Sequence, residues 1–189
     1  MLILASKSPR RKELLALYTE SFEIEASNAD EPEFSGGEVA EYVKELASIK
    51  AREVAARHTE DTVIGADTVV AFDGEVLGKP RDAKHAKEML MSMSGGAQQV
   101  YTGICVIKNG EEVRDAVCTS VVFRNLSERE IDEYVATGDP LDKAGAYGIQ
   151  GGAGEFVKTI SGDYFNVIGL PMKRLSEILR EILKTHSEW

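Results

Sequence analysis

The chain has 189 residues, a formal net charge of −10, 43% apolar residues and 29% charged residues. That length is enough for a well-buried core, and the acidic balance argues against a general nucleic-acid binder, whose affinity needs an extended basic surface. No apolar run approaches the roughly 20 residues needed to cross a bilayer, and residues 1–5 pass straight into polar sequence, unlike a signal peptide, so a cytoplasmic location without a membrane partner is expected.

The chain opens on Leu2-Ile3-Leu4-Ala5, an apolar run that predicts a buried strand. Ser6, Lys7 and Ser8 make a polar turn; Ser8 is a good helix N-cap, and Pro9 suits the first helical position. The first turn of that helix carries Arg10 and Arg11, with Lys7 just before it. A helix N-terminus is already partly positive and favours acidic neighbours. Cations gathered there repel one another unless an anion joins them, so the exposed N–H groups, the two hydroxyls and the two guanidiniums together suit phosphate. The alternative is that the arginines simply extend into solvent.

Phe22–Ala26 alternates apolar and acidic residues like a half-exposed strand. Residues 27–37 form a long loop with Asp30, Glu31 and Glu33, either a solvated acidic turn or a functional segment. A helix is expected from about residue 38 to 57, with Val39, Tyr42, Val43, Leu46, Ala47 and Ile49 at helical spacing. Lys50 lies beside that stripe and either snorkels out of the core or aims into a cleft. Thr62–Phe72 is the most apolar run, and its β-branched content predicts a central strand. Asp67 interrupts it. A carboxylate there cannot be left buried and unpaired, so it either caps backbone groups at a bulge near Gly65 or projects toward a cation or substrate. Thr68 faces the other way if the strand is regular; a bulge would bring both to one cleft.

Asp73-Gly74 makes a turn, and Gly78-Lys79-Pro80-Arg81 is a loop ending in an N-cap, Asp82. The helix that follows runs to about Met93 with Ala86, Met89, Leu90 and Met93 inward. Strands over about 98–107 and 112–123 flank Asn109-Gly110, a strong hairpin signal. In that register Cys105 faces Arg114 and Cys118 faces Tyr101, so the cysteines are offset by roughly 13 Å along the strand. A disulfide tolerates only about 7 Å between Cα atoms, so two free thiols and a reducing compartment are expected. Ser127 and Glu130 form a capping box for a helix with Ile131, Tyr134 and Val135 inward.

Residues 139–154 are glycine-rich but lack the Gly-Lys-Ser/Thr ending of a Walker loop. Glycines allow close backbone approach to a ligand, and Gln150 offers both a donor and an acceptor, suited to a base edge; a flexible surface loop is the alternative. A strand over residues 155–160 and a turn at Gly162-Asp163 follow. The last helix opens at Pro171 with Leu175, Ile178, Leu179 and Leu183 at helical spacing, and residues 186–189 are expected to fray. His58, His85 and His186 show no metal-ligand spacing and are read as surface residues.

Alternating strands and helices with a later hairpin predict an α/β fold, a mixed β-sheet flanked by helices, with residues 1–189 as one domain and a central substrate cleft. Lys7, Arg10, Arg11, Lys79 and Lys143, a strand carboxylate and a glycine loop with Gln150 together suggest a nucleoside triphosphate ligand.

At this point the sequence resembles the Maf family of septum-formation proteins, nucleoside triphosphate pyrophosphatases. The segments that carry the resemblance are Ser6-Lys7-Ser8-Pro9-Arg10-Arg11, Gly65-Ala66-Asp67-Thr68, Gly78-Lys79-Pro80, Asp142 to Gly151, and Asn166 to Pro171. It implies a fold like that of inosine triphosphate pyrophosphatases and hydrolysis of the α–β bond to a monophosphate and pyrophosphate, with Mg²⁺ or Mn²⁺ and a homodimer partner. It implies Asp67 as proton acceptor, and Arg10, Thr68 and Gln150 as the positions that set substrate choice. Those three residues resemble the branch acting on dTTP and UTP, modified pyrimidine nucleotides included, in a house-cleaning role linked to cell-division arrest. Within that frame Arg11, Lys50, Lys79 and Ser8 are assigned to phosphate, and Glu31 with Asp67 to the metal. The alternatives are a non-catalytic nucleotide-binding regulator of septum formation and a 7-methyl-GTP-type pyrophosphatase.

Overall fold

The computed structural model describes residues 1–185, so His186 and the expected fraying of 186–189 lie outside the described residues. The order of elements is β1 (Leu2–Leu4), α1 (Pro9–Ala16), β2 (Glu23–Ile24), α2 (Val39–Ala55), β3 (Thr62–Phe72), β4 (Glu75–Leu77), α3 (Ala83–Met93), β5 (Ala97–Lys108), β6 (Glu111–Phe123), α4 (Glu128–Ala136), β7 (Val157–Ser161), α5 (Tyr164–Ile168) and α6 (Met172–Thr185). The strands form a mixed sheet in the order β2-β1-β3-β5-β6-β7, with β4 on β3. The fold is the expected α/β class.

Residue contacts divide the described chain into two units, one of residues 1–67, 102–117 and 169–185, the other of 68–101 and 118–168. Three of the four crossings fall inside β3, β5 and β6, so no Pro/Gly/Ser linker marks them in the sequence.

In the first unit β1 runs parallel to β2 and β3, pairing Leu4 with Ile24 and with Ile64. Helix α2 lies directly on strand backbone. A Cβ on Gly65 would sit 2.2 Å from the Ala47 carbonyl oxygen, and one on Gly103 would sit 2.1 Å from that of Val43. Only glycine permits this approach, and it brings the face of β3 that carries Gly65 against Ala47 and Ala51. Ile3, Ala5, Val54, Val63, Cys105 and Ile107 fill the space around it. Both cysteines are free thiols, as expected, and burial pushes the Cys105 thiol up to about 12. In α6 the buried positions are Leu175, Ile178, Leu179 and Ile182. Leu183, expected inward, is 42% exposed because Ile182 takes the place seven residues after Leu175 on the stripe.

In the second unit α3 and α4 bury Ala86, Met89, Leu90, Met93, Ile131 and Tyr134 against Phe123, Tyr147 and Phe156. The rings meet edge-on, with centroids 4.8 Å apart for Phe123–Tyr147 and 5.3 Å for Tyr134–Phe156. Ser127 and Glu130 make the full capping box, and Asp82 caps α3 through the His85 amide at 2.7 Å. Gln99 meets Ser120 at 3.4 Å, as the hairpin register requires.

Three local features add to the sequence reading. The Asp73-Gly74 turn, with φ of 51° and 80°, has positive φ at both residues, as a tight hairpin turn needs, and it returns the chain as β4. Tyr164–Ile168 is a helical turn, α5. Residues 139–156 are a series of three 3-10 turns with Pro140, Ala146, Tyr147, Ala153 and Phe156 buried, so the glycine-rich segment is part of the core. The strand after it begins at Val157 rather than at residue 155.

Candidate active site

In the first unit the expected carboxylates and cations converge. Asp67 is two residues beyond Gly65 on β3 and therefore shares its face, the one covered by α2. Lys50 is one turn beyond Ala47 on α2. Its ammonium donates to Asp67 Oδ1 and lies 3.1 Å from Glu31 Oε1. Lys50 aims at the carboxylates rather than snorkelling away, and both members of the Lys50–Asp67 pair are largely screened, at 15% and 14% exposure, whereas Glu31 is 45% exposed.

Beside them stands the start of α1. Ser8 caps the helix, its Oγ accepting from the Arg11 amide at 3.4 Å. Ser6 Oγ accepts from the Ser8 amide at 3.2 Å and from Arg11 Nη1 at 3.3 Å, and Arg11 Nε donates to the Gly169 carbonyl at 2.8 Å. The Arg11 guanidinium is thus oriented by fixed partners on either side. Burial lowers its pKa; Asp67 works against this, Arg10 adds to it, and Glu31 again opposes. Its charge is retained, as arginine's is in proteins. Asp67, Arg10 and Glu31 are thus all near enough to act on the Arg11 charge.

Tyr42 stands near the same charges, although its sequence position shows only helical spacing within α2. Its hydroxyl donates to the Pro32 carbonyl at 2.9 Å and its ring meets Phe34 at 5.2 Å, so it grips the acidic loop on either side of Glu33 and directly after Glu31. Burial raises its pKa, and Asp67, Glu31 and Glu33 add to the effect. Ser6 is a second such residue, the shared acceptor of the α1 turn. The signal for both was geometric, and no local pattern carried it.

The donor set also fits a divalent cation. Two carboxylates share one cationic head, Lys50 Nζ, and so come close enough together to be candidate oxygen ligands for one ion. Among the described residues no group of three or more His, Cys, Asp or Glu could hold a metal, and Mg²⁺ typically takes only one or two carboxylates beside substrate phosphates and water.

In the second unit Thr68 is half-buried and Lys79 is exposed in the loop before α3. Gln150 is exposed. Lys143, grouped with the basic residues from the sequence, is committed internally to Asp139 and Asp142. His58 departs from the surface reading: it is half-buried and bonded to Glu25 through Nε2 at 2.6 Å. His85 Nδ1 accepts from the Arg81 amide at 3.1 Å. No helix among the described residues is long and apolar enough to cross a membrane.

Residues 1–182 match the sequence family described as Maf-like protein. A dTTP/UTP pyrophosphatase of Thermococcus gammatolerans is 50% identical over 186 residues, 97% of this chain and 99% of its own length. A dTTP/UTP pyrophosphatase of Clostridium novyi is 49% identical over 184 residues, 95% of this chain and 96% of its own length. Among solved structures the Ham1 protein of Staphylococcus aureus is 17% identical with a TM-score of 0.47, covering 65% of this chain and 71% of its own.

Proposed function

The chain belongs to the Maf-like protein family, and from that premise we propose that it is a nucleoside triphosphate pyrophosphatase that hydrolyses dTTP and UTP to the monophosphate and pyrophosphate. The observation that carries the proposal is the convergence of Asp67, Glu31, Lys50 and Arg11 in one neighbourhood of an otherwise acidic protein. The dTTP/UTP pyrophosphatases that match nearly the whole chain support the substrate class.

In this reading Asp67 accepts a proton from the attacking water. The water oxygen bonds to the α-phosphorus in line, the bond from that phosphorus to the α–β bridging oxygen breaks, and pyrophosphate leaves with the bond's electron pair. Arg10, Arg11, Lys50 and Lys79, with the Ser8 cap, hold the phosphates and stabilise charge as it moves onto the leaving group. Ser6 and the Gly169 carbonyl keep Arg11 aimed. Glu31 and Asp67 would hold the divalent cation, which would polarise the phosphate and lower the pKa of bound water. Gln150 and its neighbouring backbone read the base, and Arg10 and Thr68 complete substrate choice.

The test is pyrophosphate release from canonical and modified nucleoside triphosphates with Mg²⁺ or Mn²⁺, wild type beside Asp67→Asn. Fast turnover of dTTP and UTP, lost in the variant, is expected. Binding without turnover of any nucleotide would overturn the proposal in favour of a nucleotide-binding regulator, and preference for 7-methyl-GTP would overturn the substrate assignment.

A further inference from the structure

Gln150 alone is a poor discriminator. Its amide carries a donor and an acceptor, and half a turn about its last bond exchanges them. A freely turning glutamine therefore satisfies cytosine as readily as uracil. Selectivity requires that the turn carrying it present backbone groups in one fixed arrangement, and the second unit contains a device that fixes this turn.

The device begins on α4. The Tyr134 hydroxyl donates to Asp139 Oδ2 at 2.8 Å and accepts from the Gly148 amide at 3.3 Å. Asp139 Oδ1 and the Asp139 carbonyl each accept from Lys143 Nζ at 2.7 Å, and Asp142 Oδ1 accepts from the same nitrogen at 2.8 Å. Those three acceptors match the three donors of the ammonium, and the Lys143 side chain is 11% exposed. The residues flanking Gln150 are seated on this network. A Cβ on Gly148 would lie 2.7 Å from Lys143 Cε, one on Gly151 would lie 3.1 Å from Asp139 Oδ2, and one on Gly152 would lie 3.2 Å from the Tyr134 ring. The turn is closed by the Gly151 amide on the Gly148 carbonyl at 3.2 Å. Gln150 itself is exposed above these supports.

We propose that Tyr134, Asp139 and Lys143 are positioning residues for base recognition: by fixing residues 148–151 they determine discrimination of uracil and thymine from cytosine. The proposal rests on the reading of Gln150 as the base-contacting residue. Lys143 accordingly serves as the internal post of the recognition turn rather than as a phosphate ligand.

The experiment compares kcat and KM for UTP and CTP in wild type, Tyr134→Phe, Lys143→Met, Gln150→Ala and the Tyr134→Phe/Gln150→Ala double variant, with thermal melting of each. Tyr134→Phe keeps the ring in the core and removes only the hydroxyl. The expected result is a roughly ten-fold fall in the UTP-to-CTP ratio of kcat/KM, the worth of about one hydrogen bond, carried by KM for UTP with kcat unchanged. In the double variant the ratio falls no further than in Gln150→Ala alone, because Tyr134 acts through Gln150. A lowered melting temperature with the wild-type ratio in both Tyr134→Phe and Lys143→Met would overturn the proposal while leaving Gln150 as the reader. An unchanged ratio in Gln150→Ala would overturn the reading of Gln150 itself, and the positioning role with it.

Discussion

The acidic loop of residues 27–37 and the glycine-rich segment of residues 138–156 each carry residues assigned to the ligand, and they are built in opposite ways. No residue of the acidic loop is buried. It is held by the Tyr42 hydroxyl on Pro32, the Phe34–Tyr42 ring contact, and the Asn28 amide on Glu53 at 3.3 Å. The glycine-rich segment buries Pro140, Ala146, Tyr147, Ala153 and Phe156 and is pinned by Lys143. Segments with few buried contacts open at little cost in free energy, whereas core segments open only with the whole unit. A loop that brings a carboxylate to a charged ligand benefits from such freedom, and a turn that reads hydrogen-bond patterns does not. Glycine content is thus a poor guide to rigidity: here the glycines let the segment pack.

The largest expected effect separates chemistry from reading. Asp67→Asn should lower kcat by about 10²- to 10⁴-fold for every substrate, the usual worth of a general base, while nucleotide binding by calorimetry survives. Gln150→Ala should instead change the ranking of substrates. If Gln150→Ala lowered turnover of all nucleotides equally, the division of labour between the two regions would be wrong.

The second effect concerns stability. Phe156 is 4% exposed among Phe123 and Tyr134, and Phe156→Ala should cost about 3–5 kcal/mol. Phe34 is half-buried and meets the Tyr42 ring, and Phe34→Ala should cost about 1 kcal/mol, the ordinary value for a point change. Urea unfolding of both variants gives the comparison directly, and equal costs would break it.

Much of this was legible in the sequence where one short pattern decides one local structure. The caps Ser8, Asp82 and Ser127, the inward set of α3, the Asn109-Gly110 hairpin and the odd carboxylate in β3 each rest on a few neighbouring residues. What escaped depends on distant partners. Three residues of β4 are too few to show a period. The 3-10 turns of residues 139–156 have no apolar repeat to read. Lys50 and Lys143 look alike as lysines near small residues, yet one faces Asp67 and Glu31 and the other fills an internal post. A boundary inside a continuous strand leaves no trace in composition.

A smaller effect should follow from Tyr42→Phe. Removing one hydrogen bond on the acidic loop, worth about 1 kcal/mol, should loosen the hold on Glu31 and weaken Mn²⁺ binding by about five-fold, read by calorimetry without nucleotide. Unchanged Mn²⁺ affinity would mean that Tyr42 supports the loop without presenting Glu31.

The smallest effect distinguishes the two regions by pH. The glycine-rich segment contains no histidine, whereas the chain just ahead of the acidic loop is tied down by one. Glu25 accepts from Arg57 Nε at 2.7 Å and meets His58 Nε2 at 2.6 Å, while His58 Nδ1 lies 3.4 Å from Asp61, which also binds the N-terminal ammonium. The bond to Glu25, more than any other contact, raises the His58 pKa; Arg57 and then His58 lower that of Glu25. A raised histidine pKa contributes stability that is fully present below the unfolded value of about 6.5 and fades as pH rises through the folded value. A lowered carboxylate pKa contributes stability that is present above about 4.3 and fades as pH falls through the folded value. The tether is therefore strongest between those limits. His58→Gln should lower the melting temperature slightly at pH 5.5 and leave it unchanged at pH 8.5, with faster amide exchange over residues 25–29 at the lower pH and none over residues 144–157. An equal loss at both pH values would show that the imidazole acts by packing, and the contrast between an ionically tethered loop and a core-packed one would lose its electrostatic half.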